Sequence, residues 1–406
     1  MSRTSLIRKS TRRLGIRATR AVLTGLAAAL AVSAPPAPAS AQARAAASEP
    51  PAANYWVYVA AESSDVLHRV RFGPDGAIIE KTIPVGAYAT ETEGPHGLMI
   101  SRDRKFLHMT TGHGLPDGMY WKIELGPDTV VGEPIPLGVF PATVDVTPDG
   151  LYAFVVNFNL HGEHVPSDVS VIYTPDVVEV ARTVTCTMPH GSRLNPAGTK
   201  QYSGCMMDDQ LVELDTRTFE VSRRFSVAKG AEGPIDANAD IAGHAAGHGD
   251  MGHGAMAEPT CSPTWAQPSI DGSKVFVACN KADEILEIDA QEWKLTRRFA
   301  TGRAPYNLAV TPDGRLLVAT LKAGAGVQFF DLATGRAIAT TPSTAKVTHG
   351  VVVSPDSRYA FVSVESIGAD PGRLDVYDLQ SFERVASADL ALQAGGIAFW
   401  KMEDVK

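Results

Sequence analysis

From Tyr55 to Trp400 the chain is a succession of short apolar runs, alternating with period two and broken at regular intervals by turn residues. Arg303–Leu321, RAPYNLAVTPDGRLLVATL, shows the unit most plainly: an apolar run NLAV, a Thr-Pro-Asp-Gly turn, and a second apolar run LLVATL. Pro and Asp suit the first half of a tight turn, and Gly takes the left-handed position that closes it. The cassette recurs at Phe140–Asn157 and Val347–Glu365, with degenerate copies at Gly94–Thr110, Met188–Gly204 and Ser262–Asn280. A third alternating strand, often ending in Asp, and then a fourth follow each pair. Short alternating runs separated by turn signals predict antiparallel strands. A recurrence of about 40–45 residues with four strands is the period of a propeller blade.

The register predicts an all-β fold, a seven-bladed β-propeller of four-stranded antiparallel blades. Tyr55–Ala60, Val66–Phe72 and Ile78–Pro84 supply the second, third and fourth strands of a first blade that lacks its own inner strand. Complete blades begin near His96, Ala142, His190, Thr264, Tyr306 and His349. The stretch Gly395–Trp400 is then the missing inner strand, and its return to the first blade removes the edges an open array would expose.

The runs LAVTPDG (Leu308–Gly314) and VVVSPDS (Val351–Ser357), with third strands such as LDVYDL and EILEIDA, resemble the YVTN or YncE-like β-propeller family. The resemblance covers nearly all of residues 54–402. It implies the fold and a scaffold put to many uses, and it assigns no chemistry.

Residues 1–41 stand outside the repeat. Seven basic residues (Arg3, Arg8, Lys9, Arg12, Arg13, Arg17, Arg20) precede the apolar run Ala21–Ala34 and a small-residue Ala39-Ser40-Ala41 site. This is the pattern of a secretory signal peptide, and the run is too short for a membrane span. Thr11–Arg17, TRRLGIR, resembles a twin-arginine signal with Gly15 in place of the usual bulky residue, so either export route fits. Residues 42–53, rich in Ala and Pro, read as a disordered linker. The expected location is periplasmic or secreted, as a monomer.

Loss of those seven positive charges takes the formal net charge from −8 to −15. So acidic a chain does not suit nucleic acid or an anionic membrane. The sequence has no Gly-rich phosphate loop, no GxSxG elbow, no HExxH and no CxxCH, which leaves no nucleotide and no haem c.

One column of the repeat carries candidate chemistry. The residue five positions before the turn Ser/Thr/Asn opens each inner strand: Gly395, His96, Ala142, His190, Thr264, Tyr306 and His349. Three of the seven are His, each followed by Gly, in blades 2, 4 and 7. Inner strands line a propeller's axis, so His96, His190 and His349 are candidates to converge on one ion at one channel mouth. Imidazole suits copper, zinc and iron. The loops after the second strands lie on the same face and carry His113, His161, His164, Cys205, Met206 and Glu365. His113 and Glu365 are candidates for a fourth ligand or a proton-transfer group.

An insertion at 230–259 without strand period reads as a loop on this face. Its His244, His248, Met251 and His253 combine imidazole with thioether, a set that favours copper. The four cysteines of an exported chain favour disulfides. Cys186 with Cys205, and Cys261 with Cys279, bracket the first two strands of blades 4 and 5 in the same way and pair accordingly. The competing reading makes Cys205 and Cys279 metal ligands.

The expected function is a metal-binding propeller, copper before zinc or iron, with a metal-dependent oxidoreductase as one outcome. Nitrous oxide reductase is similar in placing histidines around one mouth of a seven-bladed propeller, although this chain has no cupredoxin domain. The alternatives are a metal-independent scaffold for a periplasmic protein or small ligand, and a lactonase- or lyase-like enzyme, whose propellers are similar in their SPDG-like turns.

Overall fold

The structure, a computed structural model, describes residues 50–88, 90–113, 118–160, 162–237 and 258–405. Seven antiparallel sheets follow one another around a ring. The innermost strands are Ala394–Asp404, Pro95–Ile100, Pro141–Val146, Pro189–Leu194, Pro263–Pro268, Pro305–Val310 and Thr348–Val353. Each neighbours the next, and the last neighbours the first. The protein is a seven-bladed β-propeller. Blade 1 is closed as the sequence predicts: Ala394–Asp404 pairs with Ala53–Ala61, with Tyr58 opposite Ala398.

Two blades depart from the plain repeat. In blade 2 the outer strand is split into Thr129–Val130 and Ile135–Pro136. In blade 4 the insertion, read from the sequence as strandless, begins with a short fifth strand, Gly233–Ile235, paired with Glu220–Ser226. An outermost strand offers unpaired amides and carbonyls, and these three residues cover part of that edge. Arg224 fixes the connection by donating its Nε–H to the carbonyl of Ala237 at 2.9 Å.

Side chains that alternate to one face of each sheet fill the space between blades. Tyr55, Phe72, Tyr359 and Phe361 join blades 1 and 7. Trp265, Phe276, Phe299 and Phe330 join blades 5 and 6. Full burial of such a side chain contributes about 1.5–3 kcal/mol. The turn acids Asp103, Asp149, Asp271, Asp313 and Asp356 each accept the hydroxyl of the Ser or Thr two residues earlier, which is turn capping.

The His-Gly pairs have a packing cause. A Cβ on Gly191 would lie 2.2 Å from the carbonyl oxygen of Thr264, on the next inner strand. One on Gly97 would lie 2.7 Å from the carbonyl oxygen of Ala142. Bare backbone at these points lets the inner strands close around the axis.

Both cysteine pairs are disulfides, Cys186–Cys205 and Cys261–Cys279. Among the described residues no cysteine is free, which removes Cys205 and Cys279 as metal ligands. The two disulfides are consistent with an exported protein. Among the described residues no helix is long and apolar enough to cross a membrane. The leader 1–41 and linker residues 42–49 lie outside the described residues.

Candidate functional site

All seven inner strands begin in the same way. Two positions before the column residue the backbone is left-handed, at Gly94, Phe140, Met188, Ser262, Ala304, Val347 and Gln393, with φ from 49 to 65°. The carbonyl of that residue accepts the N–H of the residue just past the blade's second strand. The donors are Gly112, Phe158, Met206, Asn280, Lys322, Glu365 and Glu62, at 2.8–3.3 Å. This repeated bond sets a second column beside the first. It places three charged side chains, Lys322, Glu365 and Glu62, in adjacent blades 6, 7 and 1.

The first column brings its histidines together. The ring centroids of His96 and His349 are 5.6 Å apart, and those of His96 and His190 are 6.4 Å apart. All three rings are buried. Two imidazoles sharing one ion, each nitrogen about 2.0–2.1 Å from it, hold their ring centres roughly 5–6 Å apart. Separation therefore does not prevent His96 and His349 from sharing an ion.

Their hydrogen bonds differ, and the differences decide which nitrogens are available. His96 donates Nδ1–H to Oε2 of Glu62 at 2.7 Å, while His113 donates Nε2–H to Oε1 of the same carboxylate. Burial would raise the pKa of Glu62, but His96 and His113 outweigh it and hold the carboxyl far below its ordinary range. Nε2 of His96 makes no hydrogen bond among the described residues. His349 has Nε2 3.4 Å from Oε1 of Glu365, and its buried Nδ1 has no partner. Burial, with the charge of Lys322 next, pushes the His349 pKa well below its ordinary value, so this ring is neutral.

His190 is engaged on both sides. Its Nδ1–H donates to the carbonyl of Thr264 at 2.9 Å, and Nε2 accepts the Tyr306 hydroxyl at 3.0 Å. Burial pushes its pKa down to about 3. Among the described residues no three or more His, Cys, Asp or Glu side chains stand ready to hold a metal ion. The occupied His190 is a physical reason. Two imidazoles present bare nitrogens, and the third is held by a phenol.

Tyr306 also joins the charged side of the mouth. Lys322 lies over its ring, Nζ 4.1 Å from the centroid, and pairs with Glu365 at 3.0 Å. Burial opposes the lysine charge, but Tyr306 and Glu365 outweigh it and hold the ammonium above its ordinary pKa. The opposite side is apolar: Phe140 packs edge-on against His96 and His113, and Phe158 against His190. Below the rings a cavity of about 30 Å³ is lined by His96, His190, His349 and Asn307, room for about one water.

The structure thus brings together His96, His113, His190, His349 and Glu365. His164 is exposed in its loop. His161, His244, His248, Met251 and His253 lie outside the described residues. Sequence reading missed Glu62, Lys322 and the role of Tyr306. Tyr306 stands in the histidine column. Glu62 and Lys322 stand in the column of Glu365, visible once every second strand is aligned at its end.

No family model matches the chain, and no curated protein matches it. Solved structures do: 1622 chains match, a breadth that assigns no chemistry. One is Kuenenia stuttgartiensis hydrazine synthase, at 16% identity, covering 77% of this chain and 93% of that chain with a TM-score of 0.58. At that identity the likeness is one of fold.

Proposed function

We propose that this is an exported metal-binding propeller of the YVTN or YncE-like type, holding one transition-metal ion at the mouth of its channel. The observation that carries the reading is a pair of imidazole nitrogens without a hydrogen-bond partner among the described residues, Nε2 of His96 and the buried Nδ1 of His349, the first on a ring hydrogen-bonded to Glu62 and the second on a ring 3.4 Å from Glu365. A carboxylate behind a histidine fixes the tautomer and makes the free nitrogen a better ligand. His190 joins as a third ligand by giving up the Tyr306 hydroxyl. Copper is preferred to zinc or iron because the insertion supplies His244, His248, His253 and Met251, donors suited to capturing Cu(I). His113 and Glu365 then serve as charge partners of the liganding rings, and Glu365 with Lys322 can move a proton at the open position. An oxidoreductase is one use of such a site, and metal carriage is another.

The engaged His190 supports a second reading, a metal-independent scaffold whose mouth holds a small ligand or a periplasmic protein between its charged and apolar sides. Thermal melts with Cu(I), Cu(II) and Zn(II) separate the two. An ion that binds only the folded state, at about a hundredfold excess over Kd, stabilises by about 2.7 kcal/mol. The metal reading expects such a shift, absent in His96→Ala/His349→Ala. No shift with any of the ions would support the scaffold.

A further inference from the structure

The far end of the channel is built differently. The inner strands leave the histidine mouth and end around a cavity of about 250 Å³. Its walls are apolar, drawn from four blades by Leu98, Leu308, Val351 and Ile397. Two polar side chains, Arg193 and Gln267, break this lining. Arg193 stands at the junction, because it lines the small histidine chamber as well.

The Arg193 guanidinium is under-used. Its hydrogen bond is from Nη1 to the carbonyl of Ser192 at 2.8 Å, one of five N–H donors. Its carbon lies over the Trp265 ring, 4.4 Å from the centroid. It forms no ion pair among the described residues. The nearby acid, Asp145, spends its two oxygens on the backbone amides of Val146 and Leu194, both at 2.8 Å. Burial raises the Asp145 pKa and lowers that of Arg193, as expected of a cation without a full counter-ion. A guanidinium fork matches a carboxylate with two parallel hydrogen bonds.

From this geometry we infer that the far mouth is a binding site for a small monocarboxylate with an apolar body, its carboxylate on Arg193 and its hydrocarbon against Leu98, Leu308, Val351 and Ile397. The cavity is roughly eight waters in volume, at about 30 Å³ each, which limits the ligand to a short-chain or single-ring acid. The inference does not rest on the metal reading, because it uses no histidine, although Leu98, Arg193, Val351 and Ile397 line the histidine chamber as well.

Hexanoate and hexan-1-ol are the probes, titrated calorimetrically into the purified protein with Trp265 fluorescence as a second signal. Hexanoate binds saturably at one site per chain, and hexanol binds at least about tenfold more weakly, the loss expected without a charge-assisted bidentate pair. Arg193→Gln weakens hexanoate by a similar factor and leaves hexanol unchanged, while Arg193→Lys retains part of the binding. Metal-stripped protein and His96→Ala/His349→Ala bind hexanoate as the wild type does. Absence of saturable binding, equal binding of acid and alcohol, or unchanged binding by Arg193→Gln overturns the proposal. So does loss of hexanoate binding on metal removal, which would place the carboxylate on the ion. Should Arg193→Gln fail to fold, the acid-to-alcohol ratio in wild type and Arg193→Lys decides.

Discussion

His96 donates Nδ1–H to Glu62 at 2.7 Å, and that bond leaves Nε2 as the nitrogen without a hydrogen-bond partner among the described residues. The two residues come from different blades. Glu62 follows the second strand of blade 1, and His96 opens the inner strand of blade 2. The charge of Glu62 is in turn held by His113. An acid that fixes a tautomer from behind affects the ring's affinity for an ion without touching the ion.

Replacement of Glu62 by Gln keeps the shape and removes the charge. A lost carboxylate behind a liganding histidine typically lowers metal affinity by about 10–100-fold. Competition against a chelator of known affinity should show that loss in Glu62→Gln. Unchanged affinity would mean that His96 is not a ligand.

Tyr306→Phe acts in the opposite direction. The phenol competes for Nε2 of His190. A net hydrogen bond is worth about 1 kcal/mol, so its removal should tighten metal binding by about fivefold. The same titration reads the result, and weaker binding would mean that the Tyr306 oxygen is itself a ligand.

Acid should unfold this protein from well above the carboxylate range. His190 and His108 are buried, and burial drops each pKa from 6.5 to about 3. The unfolded chain therefore binds protons that the folded chain refuses between about pH 6.5 and 3. Each such histidine gives stability that is complete above pH 6.5 and falls by up to about 1.4 kcal/mol per pH unit below it. Glu62, with its folded pKa depressed by His96 and His113, adds a loss below the ordinary carboxylate range. Urea melts at stepped pH should show a midpoint falling steadily from pH 6.5 to 4. A flat midpoint over that range would show these rings to be protonated in the fold.

The ring of blades was legible because a turn chemistry repeated along the chain. Thr311-Pro312-Asp313-Gly314 and its relatives fix the register, and register fixes which residue opens each inner strand. The histidine column, the closing strand Gly395–Trp400 and both disulfides follow from that alignment. The hydrogen-bond partners did not follow, because they depend on contacts between blades. No spacing along the chain says that Tyr306 reaches His190 across 116 residues, or that Glu62 serves two imidazoles. The short strand Gly233–Ile235 was missed for a similar reason. It has no alternation of its own and exists by pairing with an edge.

Close approach of the inner strands gives a stability prediction. Gly191→Ala would drive a Cβ to 2.2 Å from the Thr264 oxygen, on the strand that also holds His190 through that carbonyl. Overpacking of this kind costs about 3 kcal/mol. The control is Gly314→Ala, a left-handed turn glycine at φ 71° with nothing within 4 Å of its added Cβ, expected to lose about 1–2 kcal/mol. Urea denaturation of both should rank them in that order, and equal losses would contradict the packing described for the axis.

The central proposal is that His96 and His349 hold a metal ion, and its most direct test is elemental analysis with electron paramagnetic resonance on protein isolated from cells that export it. The wild type is expected to carry one more transition-metal ion per chain than His96→Ala/His349→Ala, with a nitrogen-coupled spectrum if the ion is Cu(II). Equal metal content in the two proteins would contradict the proposal.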